Sequence, residues 1–254
     1  MDFFNIFRLQ LILLCFGAAA YGQIETGKVG KQEPAEKIRE KKVKEVKPYN
    51  YNPVTTLYLG IGYGVGYRTL KENSGYFGEP LGERANETPR GVVNYNLGVR
   101  QKLTGKLFLD VGVSLVTYGE SYDFSGTDTM YRYDTKYTHF AVPIRLQYIT
   151  GNKWKFIGGV GIQPQMFLKY KRETAWENTE GLQNSETSKS KTGYNLFTIA
   201  ALANAGVQWQ IAPNTSLYLL PEARIQLNST LMKQAEYIHK GVYYGVQFGF
   251  AFGI

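Results

Sequence analysis

Two histidines and several serines are the side chains of this sequence that could support acyl-transfer chemistry. Such chemistry needs an imidazole base beside a serine nucleophile, with a carboxylate nearby. The 254-residue chain contains two histidines, His139 and His239, and neither has a serine two residues away. Ser121, Ser125 and Ser229 fall in predicted loops, so a triad assembled in space stays open. The simpler interpretation is that the histidines hydrogen-bond to their neighbours near a rim.

A second set of chemically capable residues is charged and lies among apolar neighbours. Arg100, Asp110, Arg145, Glu222 and Arg224 all stand on the polar row of an alternating run. Buried charges are costly unless they are paired and hydrogen-bonded. We therefore predict an interior ion-pair network in which Asp110 and Glu222 each lie among the arginines. A salt-bridged plug and an anion-selective passage both fit this network, and further basic residues on the same rows leave an excess of positive charge.

The elements that position these residues are runs in which large apolar residues alternate with small or polar ones. A period of two places successive side chains on opposite faces of an extended strand. Each run reaches or nearly reaches the roughly 9–11 residues that a strand needs to span a bilayer. From residue 55 onward there are eight such runs, at 57–68, 93–102, 107–115, 139–148, 154–169, 197–210, 217–228 and 238–254.

The last run is the most informative of the eight. Its large residues alternate with glycine, alanine, glutamine and tyrosine as far as Ile254. A strand with a bulky outer face and a small inner face is typical of the closing strand of a bacterial outer-membrane barrel. The likeness to such closing strands implies an assembly signal at Tyr244, Phe248, Phe250 and Phe252, with Phe252 in the role of the more common terminal Phe.

Aromatic residues near the ends of the runs predict a girdle at each membrane–water interface, where the ring lies in lipid and the polar tip in water. The ordinary preference of strands for Tyr and Trp is the alternative explanation. The assigned interfacial aromatics are Tyr67, Tyr118, Tyr148, Trp154 and Trp209.

Short and long connections alternate along the chain. Barrels of this kind have tight turns on the periplasmic side and long loops outside, and an even number of strands then leaves both termini in the periplasm. Tight turns are predicted at 104–106, 150–153 and 212–215, and long polar loops at about 71–89, 124–132, 173–192 and 229–236.

The N-terminal region predicts export. Its apolar run is too short to span a bilayer as a helix and is followed by small residues, so residues 1–22 are expected to be a signal peptide. Residues 23–54 hold eight basic and five acidic residues, and we expect a charged periplasmic tail. It is either a tail without stable structure or a handle for an anionic partner. Residues 55–254 are expected to form the barrel. Cys15, the only cysteine, lies in the signal, so no disulfide is expected.

Composition narrows the functional classes. The formal net charge is +8, and this balance suits a protein among anionic lipids at least as well as a nucleic-acid binder. Mean hydropathy is −0.29, which is compatible with a membrane barrel because only alternate residues meet lipid. The sequence contains no metal-ligand spacing, phosphate-binding loop or nucleic-acid motif, so we expect no cofactor, no metal and no nucleic-acid partner.

Several segments carry a resemblance to a known family: the glycine-rich 58–66, the stretch 138–148 around His139 and Pro143, the motif at 221–224 and the phenylalanine-rich end. They resemble the porin-family outer-membrane β-barrels of the Bacteroidota type, which are OmpX/OmpA-like and include PorT-like secretion accessories. The resemblance implies an all-β fold: an eight-stranded antiparallel transmembrane up-and-down β-barrel with an N-terminal charged tail, located in the outer membrane of a Gram-negative cell.

The function expected from these features is non-enzymatic, with a structural or interaction role in the cell envelope and an accessory role in envelope assembly or secretion as its most specific form. The alternatives are a lipid A-modifying barrel enzyme and a narrow passive pore. Expected partners are outer-membrane lipids including lipopolysaccharide, the barrel-assembly machinery, and a periplasmic or extracellular protein.

Overall fold

The computed structural model describes residues 53–72, 87–125, 129–178 and 183–254. The predicted signal peptide and all but the last two residues of the predicted tail lie outside this part of the chain. The described residues form one antiparallel sheet of eleven strands. Their bounds are β1 Thr55–Glu72, β2 Thr88–Thr104, β3 Leu107–Tyr118, β4 Glu120–Ser125, β5 Thr129–Ala141, β6 Ile144–Gly151, β7 Trp154–Asn178, β8 Gln183–Ser190, β9 Phe197–Ala212, β10 Thr215–Gln226 and β11 Tyr237–Gly253.

The predicted count of eight strands is wrong for two reasons. Two strands, β4 and β8, lie outside all of the expected runs, and one expected run, 139–148, is divided between β5 and β6. Between β5 and β6 the chain passes through Val142 and Pro143, and proline has no N–H to donate to a ladder. Both β5 and β6 nevertheless pair with β3 on one side and with β7 on the other.

The pairing closes the sheet on itself. Starting at Thr56 on β1, each residue can be followed to its direct partner on the next strand, through β2, β3, β6, β7, β9, β10 and β11. This path returns to β1 at Gly66, ten residues beyond Thr56. Such a stagger is what tilted strands produce when a sheet closes into a barrel. The residues on this path are Thr56, Arg100, Asp110, Arg145, Gly161, Leu202, Arg224, Tyr243 and Gly66.

The two ends of the barrel differ. At the short-turn end, three tight turns join β2 to β3, β6 to β7 and β9 to β10, and Gly105 and Gly151 take the positive φ values that such turns favour. At the opposite, long-loop end, β4, β5, β7 and β8 pair side by side beyond the rest of the sheet. We call this four-stranded part the extension. Closure is uneven there, because among the described strands β8 pairs with β7 alone.

The extension corrects the predicted loops at 124–132 and 173–192, much of which is strand. Hydrophobic alternation does not predict these strands, because neither of their faces is apolar. For example, Tyr133 pairs with Thr174, and Arg132 pairs with Ala175. Hydrophobic alternation signals a strand only where one face is buried against apolar groups or lipid.

Within the barrel wall the two faces separate as the alternation predicts. On β1, the outer residues from Leu57 to Val65 are exposed, whereas Thr56, Tyr58 and Arg68 point inward and are buried. The exposed outer surface is made of large apolar residues from almost every strand, among them Ile61, Leu97, Val113, Leu146, Phe156, Ile199, Leu219 and Phe248.

Candidate functional site

The polar interior of the barrel is the candidate functional site. One cluster of charged residues in this interior is built around Asp110. Asp110 on β3 lies directly opposite Arg100 on β2 and Arg145 on β6. Arg145 donates from Nε and Nη2 to Asp110 Oδ1, at 3.0 and 2.9 Å, and Tyr58 donates its hydroxyl to the same oxygen at 2.8 Å. Arg100 Nε lies 3.5 Å from Asp110 Oδ2, and its Nη1 donates to Gln208 at 3.0 Å.

The second carboxylate of the interior, Glu222, lies on β10. Arg224 donates to Glu222 Oε1 from Nε at 3.1 Å and from Nη2 at 2.7 Å, so one carboxylate oxygen accepts two charge-assisted hydrogen bonds. Arg145 Nη1 lies 3.4 Å from Glu222 Oε2, and Gln247 also donates to that oxygen. Arg145 therefore bridges the two carboxylates.

The structure thus brings together all five residues of the predicted ion-pair network. All five are buried, and the aromatic rings of the interior cover the guanidiniums: Arg224 Cζ lies 4.5 Å from the ring centre of Tyr243, and Arg145 Cζ lies 5.6 Å from that of Tyr58. Three arginines share two carboxylates, so this cluster carries a formal charge of +1. These charges and rings lie together, buried in the interior of the barrel.

A second charged cluster, which the sequence analysis missed, lies nearer the long-loop end. Arg68 forms an ion pair with Glu87, and its Nε lies 3.7 Å from Glu120 Oε1. His239 Nε2 is 3.3 Å from the same Glu120 oxygen, and Thr135 donates its hydroxyl to the other at 2.5 Å. Glu120 could have been found by continuing the inward row of β3 past Gly119, whereas Glu87 falls in a predicted loop and gave no signal.

The two histidines face the interior, but no nucleophile meets an imidazole among the contacts of the described residues. Ser229 Oγ accepts from the backbone N–H of His239 at 3.1 Å and does not contact its ring. Ser121 donates to Asp134. The ring of His139 packs edge-on against Tyr118 and Phe167, at 5.7 and 5.4 Å between centroids. His239 thus forms a pair with the Glu120 carboxylate, and among the described contacts its ring has no serine hydroxyl partner.

Four of the five assigned interfacial aromatics are exposed or partly exposed, and the fifth is buried. Trp154 is 56% exposed and stacks on Trp209 with 5.5 Å between ring centroids, and Tyr148 is exposed beside Lys106 at the same short-turn end. Tyr67 is partly exposed toward the long-loop end. Tyr118 corrects the prediction: it is 1% exposed and accepts a hydrogen bond from Gln165 at 2.9 Å. It follows the inward row of β3, so it faces the interior and not lipid.

The closing strand β11 pairs along both edges, with β1 and with β10. Tyr244, Phe248 and Phe250 of the assigned assembly signal are exposed on the outer surface, and Phe252 stacks on Phe250 with 6.3 Å between centroids. These four residues form one continuous outer row at the seam of the barrel.

The extension carries its own aromatic and charged groups. Arg172 lies over the ring of Tyr133, with Cζ 4.0 Å from the centroid, and donates to the Tyr131 hydroxyl at 2.9 Å. Tyr133 donates its hydroxyl to Glu87 at 2.6 Å, which ties the extension to the second charged cluster. On its outer side, Lys171 donates to Glu173, and this hydrogen bond lowers the pKa of the Glu173 carboxyl.

Within the described ranges, no cluster of three or more His, Cys, Asp or Glu side chains has the arrangement of a metal site. No helix in that same part of the chain combines the length and the apolar character needed to cross a membrane.

A sheet closed by its own pairing, with an apolar outer surface and charged groups inside, is the architecture of a membrane β-barrel. Solved structures with a similar fold include Ail of Yersinia pestis in complex with the heparin analogue sucrose octasulfate (17% identity, covering 78% of this chain and 99% of that one, TM-score 0.32). They also include Neisserial surface protein A (9% identity, 79% and 97%, TM-score 0.39) and the outer membrane protein OprG from Pseudomonas aeruginosa (10% identity, 80% and 97%, TM-score 0.43). No protein-family model and no curated protein matches the sequence. Nothing about function follows from these likenesses.

Proposed function

We propose that this chain is a non-enzymatic β-barrel of the bacterial outer membrane. The observation that carries the proposal is the division of the wall into an exposed apolar outer surface and an interior of paired charges. On β1 the exposed row from Leu57 to Val65 spans nine residues, which matches the length that a tilted strand needs to cross the hydrocarbon region.

The proposed orientation places the short-turn end and both termini in the periplasm. Long loops lie outside in such barrels, so the extension would face the exterior. The stacked Trp154 and Trp209 support the assignment of the short-turn end to a membrane–water interface, since indole rings favour that depth. Membership of the Bacteroidota porin-family type is part of this proposal and rests on the sequence motifs.

The proposed role is structural or interactive, with an accessory role in envelope assembly or secretion as its most specific form. Support comes from the interior, where ion pairs and rings fill the space that a pore would need, and from the absence of a hydroxyl beside either imidazole among the described contacts. The proposed partners are outer-membrane lipids including lipopolysaccharide, the barrel-assembly machinery, and a protein reached through the extension or the charged tail.

Membrane placement can be tested by cysteine labelling in intact cells. Cys15 is the only cysteine and lies in the proposed signal peptide, so single substitutions give unambiguous labels. We expect Ser188→Cys in the extension to react with an impermeant maleimide added outside, and Asn214→Cys at a short turn to react only after the outer membrane is opened. A protein that labels at Asn214→Cys in intact cells, or that stays monodisperse in buffer without detergent, would contradict the proposal.

The proposed absence of enzymatic activity has its own test. Lipid A mass spectra from cells with and without the protein should be identical. A mass shift that depends on the protein, and that disappears in His239→Asn, would replace the structural role with a lipid-modifying one.

A further inference from the structure

Four lysines lie together on the outer face of the extension: Lys136, Lys169, Lys171 and Lys189. We call them the lysine row. Lys136 on β5 lies directly opposite Lys171 on β7, and Lys171 lies directly opposite Lys189 on β8. Lys169 stands two residues before Lys171 on the same strand, so it shares that face. The face is the outer one, because the neighbours of Lys136 along β5 are buried in the interior.

This arrangement is unfavourable by itself. Directly opposite residues on one face of a sheet have Cβ atoms about 4.5–5.5 Å apart, and like charges placed there are destabilising. Lys171 forms an ion pair with Glu173. The other three lysines of the row form no ion pair or hydrogen bond with the described part of the chain.

The carboxylates on the same face do not offset this charge. Arg90 Nη2 lies 3.4 Å from Asp134 Oδ2 and 3.8 Å from Glu173 Oε2. Asp134 Oδ2 also lies 3.7 Å from Arg132 Nη2. Since Glu173 contacts Lys171 as well, each carboxylate already has two cationic partners. The lysine row therefore keeps an excess of positive charge that an external anion can neutralise.

The lysine row begins close to the apolar outer surface. On β7, Met166 stands three residues before Lys169, and its direct partners are Phe140 on β5 and Phe197 on β9. At about 3.3 Å per residue and a tilt near 40°, Lys169 stands about 8 Å above that apolar level. The headgroup region adds about 5–8 Å on each side of the hydrocarbon core. Lysine stems are long enough to place their ammonium groups at this depth.

Basic clusters beside a bilayer recognise anionic lipid head groups, and the adjacent apolar surface favours a lipid over a soluble polyanion. Neighbouring strands are 4.7–4.9 Å apart, so the three lysines in register span about 10 Å, enough to meet more than one phosphate. In the proposed orientation the extension faces the exterior, and the lipid at this level is lipopolysaccharide. We propose that the lysine row binds the phosphate groups of lipid A, the phosphorylated sugar anchor of lipopolysaccharide. The inference rests on the proposed outer-membrane placement and adds a site and the chemical group that it recognises.

The test compares diphosphorylated lipid A with the same lipid after removal of its phosphates. Native mass spectrometry of the full-length chain, released from detergent micelles, gives the dissociation constant for each lipid. A hydrogen bond to a charged group contributes roughly tenfold or more in affinity. We therefore expect the dephosphorylated lipid to bind the native chain at least about tenfold more weakly.

A pair of double variants locates the site. Lys136→Gln with Lys189→Gln removes two lysines of the row and leaves the ion pair of Lys171 in place. The matched control is Lys106→Gln with Lys153→Gln, which removes two exposed lysines at the short-turn end. The first variant should bind diphosphorylated lipid A at least about tenfold more weakly, and the control should bind it as the native chain does. The gel mobility of unheated samples reports whether each variant is folded.

Equal affinity of the native chain for the two lipids overturns the inference, and this comparison decides the matter if the first variant does not fold. Unchanged affinity in a folded Lys136→Gln, Lys189→Gln variant also overturns it. If dextran sulfate, a soluble polyanion, binds as tightly as lipid A, the row does not select a lipid and the inference is wrong. These results leave the proposed barrel in place. Placement is tested separately by the cysteine labelling, and its failure would contradict both proposals.

Discussion

Arg145 on β6 and Asp110 on β3 are directly paired in register, and the Arg145 guanidinium makes two hydrogen bonds to one Asp110 oxygen, of 3.0 and 2.9 Å. The same guanidinium approaches Glu222 at 3.4 Å on β10, on the other side of the interior. Arg145 thus links strands that are far apart in sequence, and the carboxylates of Asp110 and Glu222 hold its guanidinium in place.

The first prediction concerns the stability that this arrangement provides. Removing one partner from a buried ion pair leaves a charge without compensation, at a cost of about 3–5 kcal/mol. We expect Asp110→Asn to lower the free energy of unfolding by about that amount, measured by urea titration in lipid vesicles. Asp123→Asn is the control, since Asp123 pairs with Arg132 in an exposed position and such pairs contribute about 0–1 kcal/mol. Equal losses in the two variants would show that the interior network is not a source of stability.

The second prediction concerns conductance through the interior. Because Glu222 pairs both with its strand neighbour Arg224 and with Arg145 on β6, we expect the native barrel to give no sustained current in a planar bilayer. Glu222→Ala removes volume, leaves Arg224 without its carboxylate and takes one of two carboxylates from Arg145, so it should produce brief, anion-preferring openings. Arg224→Ala should also open the barrel.

The matched control for this experiment is Ile225→Ala, on the same strand but on the exposed outer face. It should behave as the native barrel does. Steady, ohmic conductance of the native protein would instead favour the passive pore.

The third prediction concerns the glycines that make room for interior rings. A methyl group on Gly98 would overlap the Tyr58 hydroxyl and lie 2.7 Å from the Val111 carbonyl oxygen, whereas one on Gly158 would meet no atom within 4 Å. Overpacking of this kind typically costs about 1–3 kcal/mol. We expect Gly98→Ala to destabilise the barrel by that amount, and Gly158→Ala to change the free energy of unfolding by less than about 0.5 kcal/mol. Urea titration of both variants gives the comparison, and a neutral Gly98→Ala would mean that Tyr58 is free to move.

The residues that alternation identified correctly are those in the part of the wall where one face is apolar. The inward rows of β1, β2 and β10 follow the period of two without interruption, so Arg100, Glu222 and Arg224 could be placed on the interior face from the sequence. The partners within that interior could not be assigned by pattern alone, because they depend on the stagger that brings β3, β6 and β10 to one level.

Errors in the sequence analysis fall where a strand leaves the apolar region or is interrupted. Tyr118 was assigned to an interface because it lies at the end of a strand. However, the even-numbered residues of β3 face the interior, and Tyr118 is one of them. The strands of the extension have two polar faces and carry no period that distinguishes them from loop. The same region contains Glu87, which precedes β2 in a predicted loop and forms an ion pair with Arg68.

The fourth prediction uses the three tryptophans, Trp154, Trp176 and Trp209, as depth markers. Trp154 and Trp209 stack at the short-turn end of the apolar surface, whereas Trp176 lies in the extension, opposite Tyr131. In vesicles with brominated phospholipids, a chain that keeps only Trp154 should be quenched more by bromine near the headgroup than by bromine near the chain terminus, because indole favours the interface. A chain that keeps only Trp176 should be quenched by neither lipid. Stronger quenching of Trp154 by the deep bromine would move the membrane boundary beyond the tight turns, and quenching of Trp176 would place the extension in the bilayer.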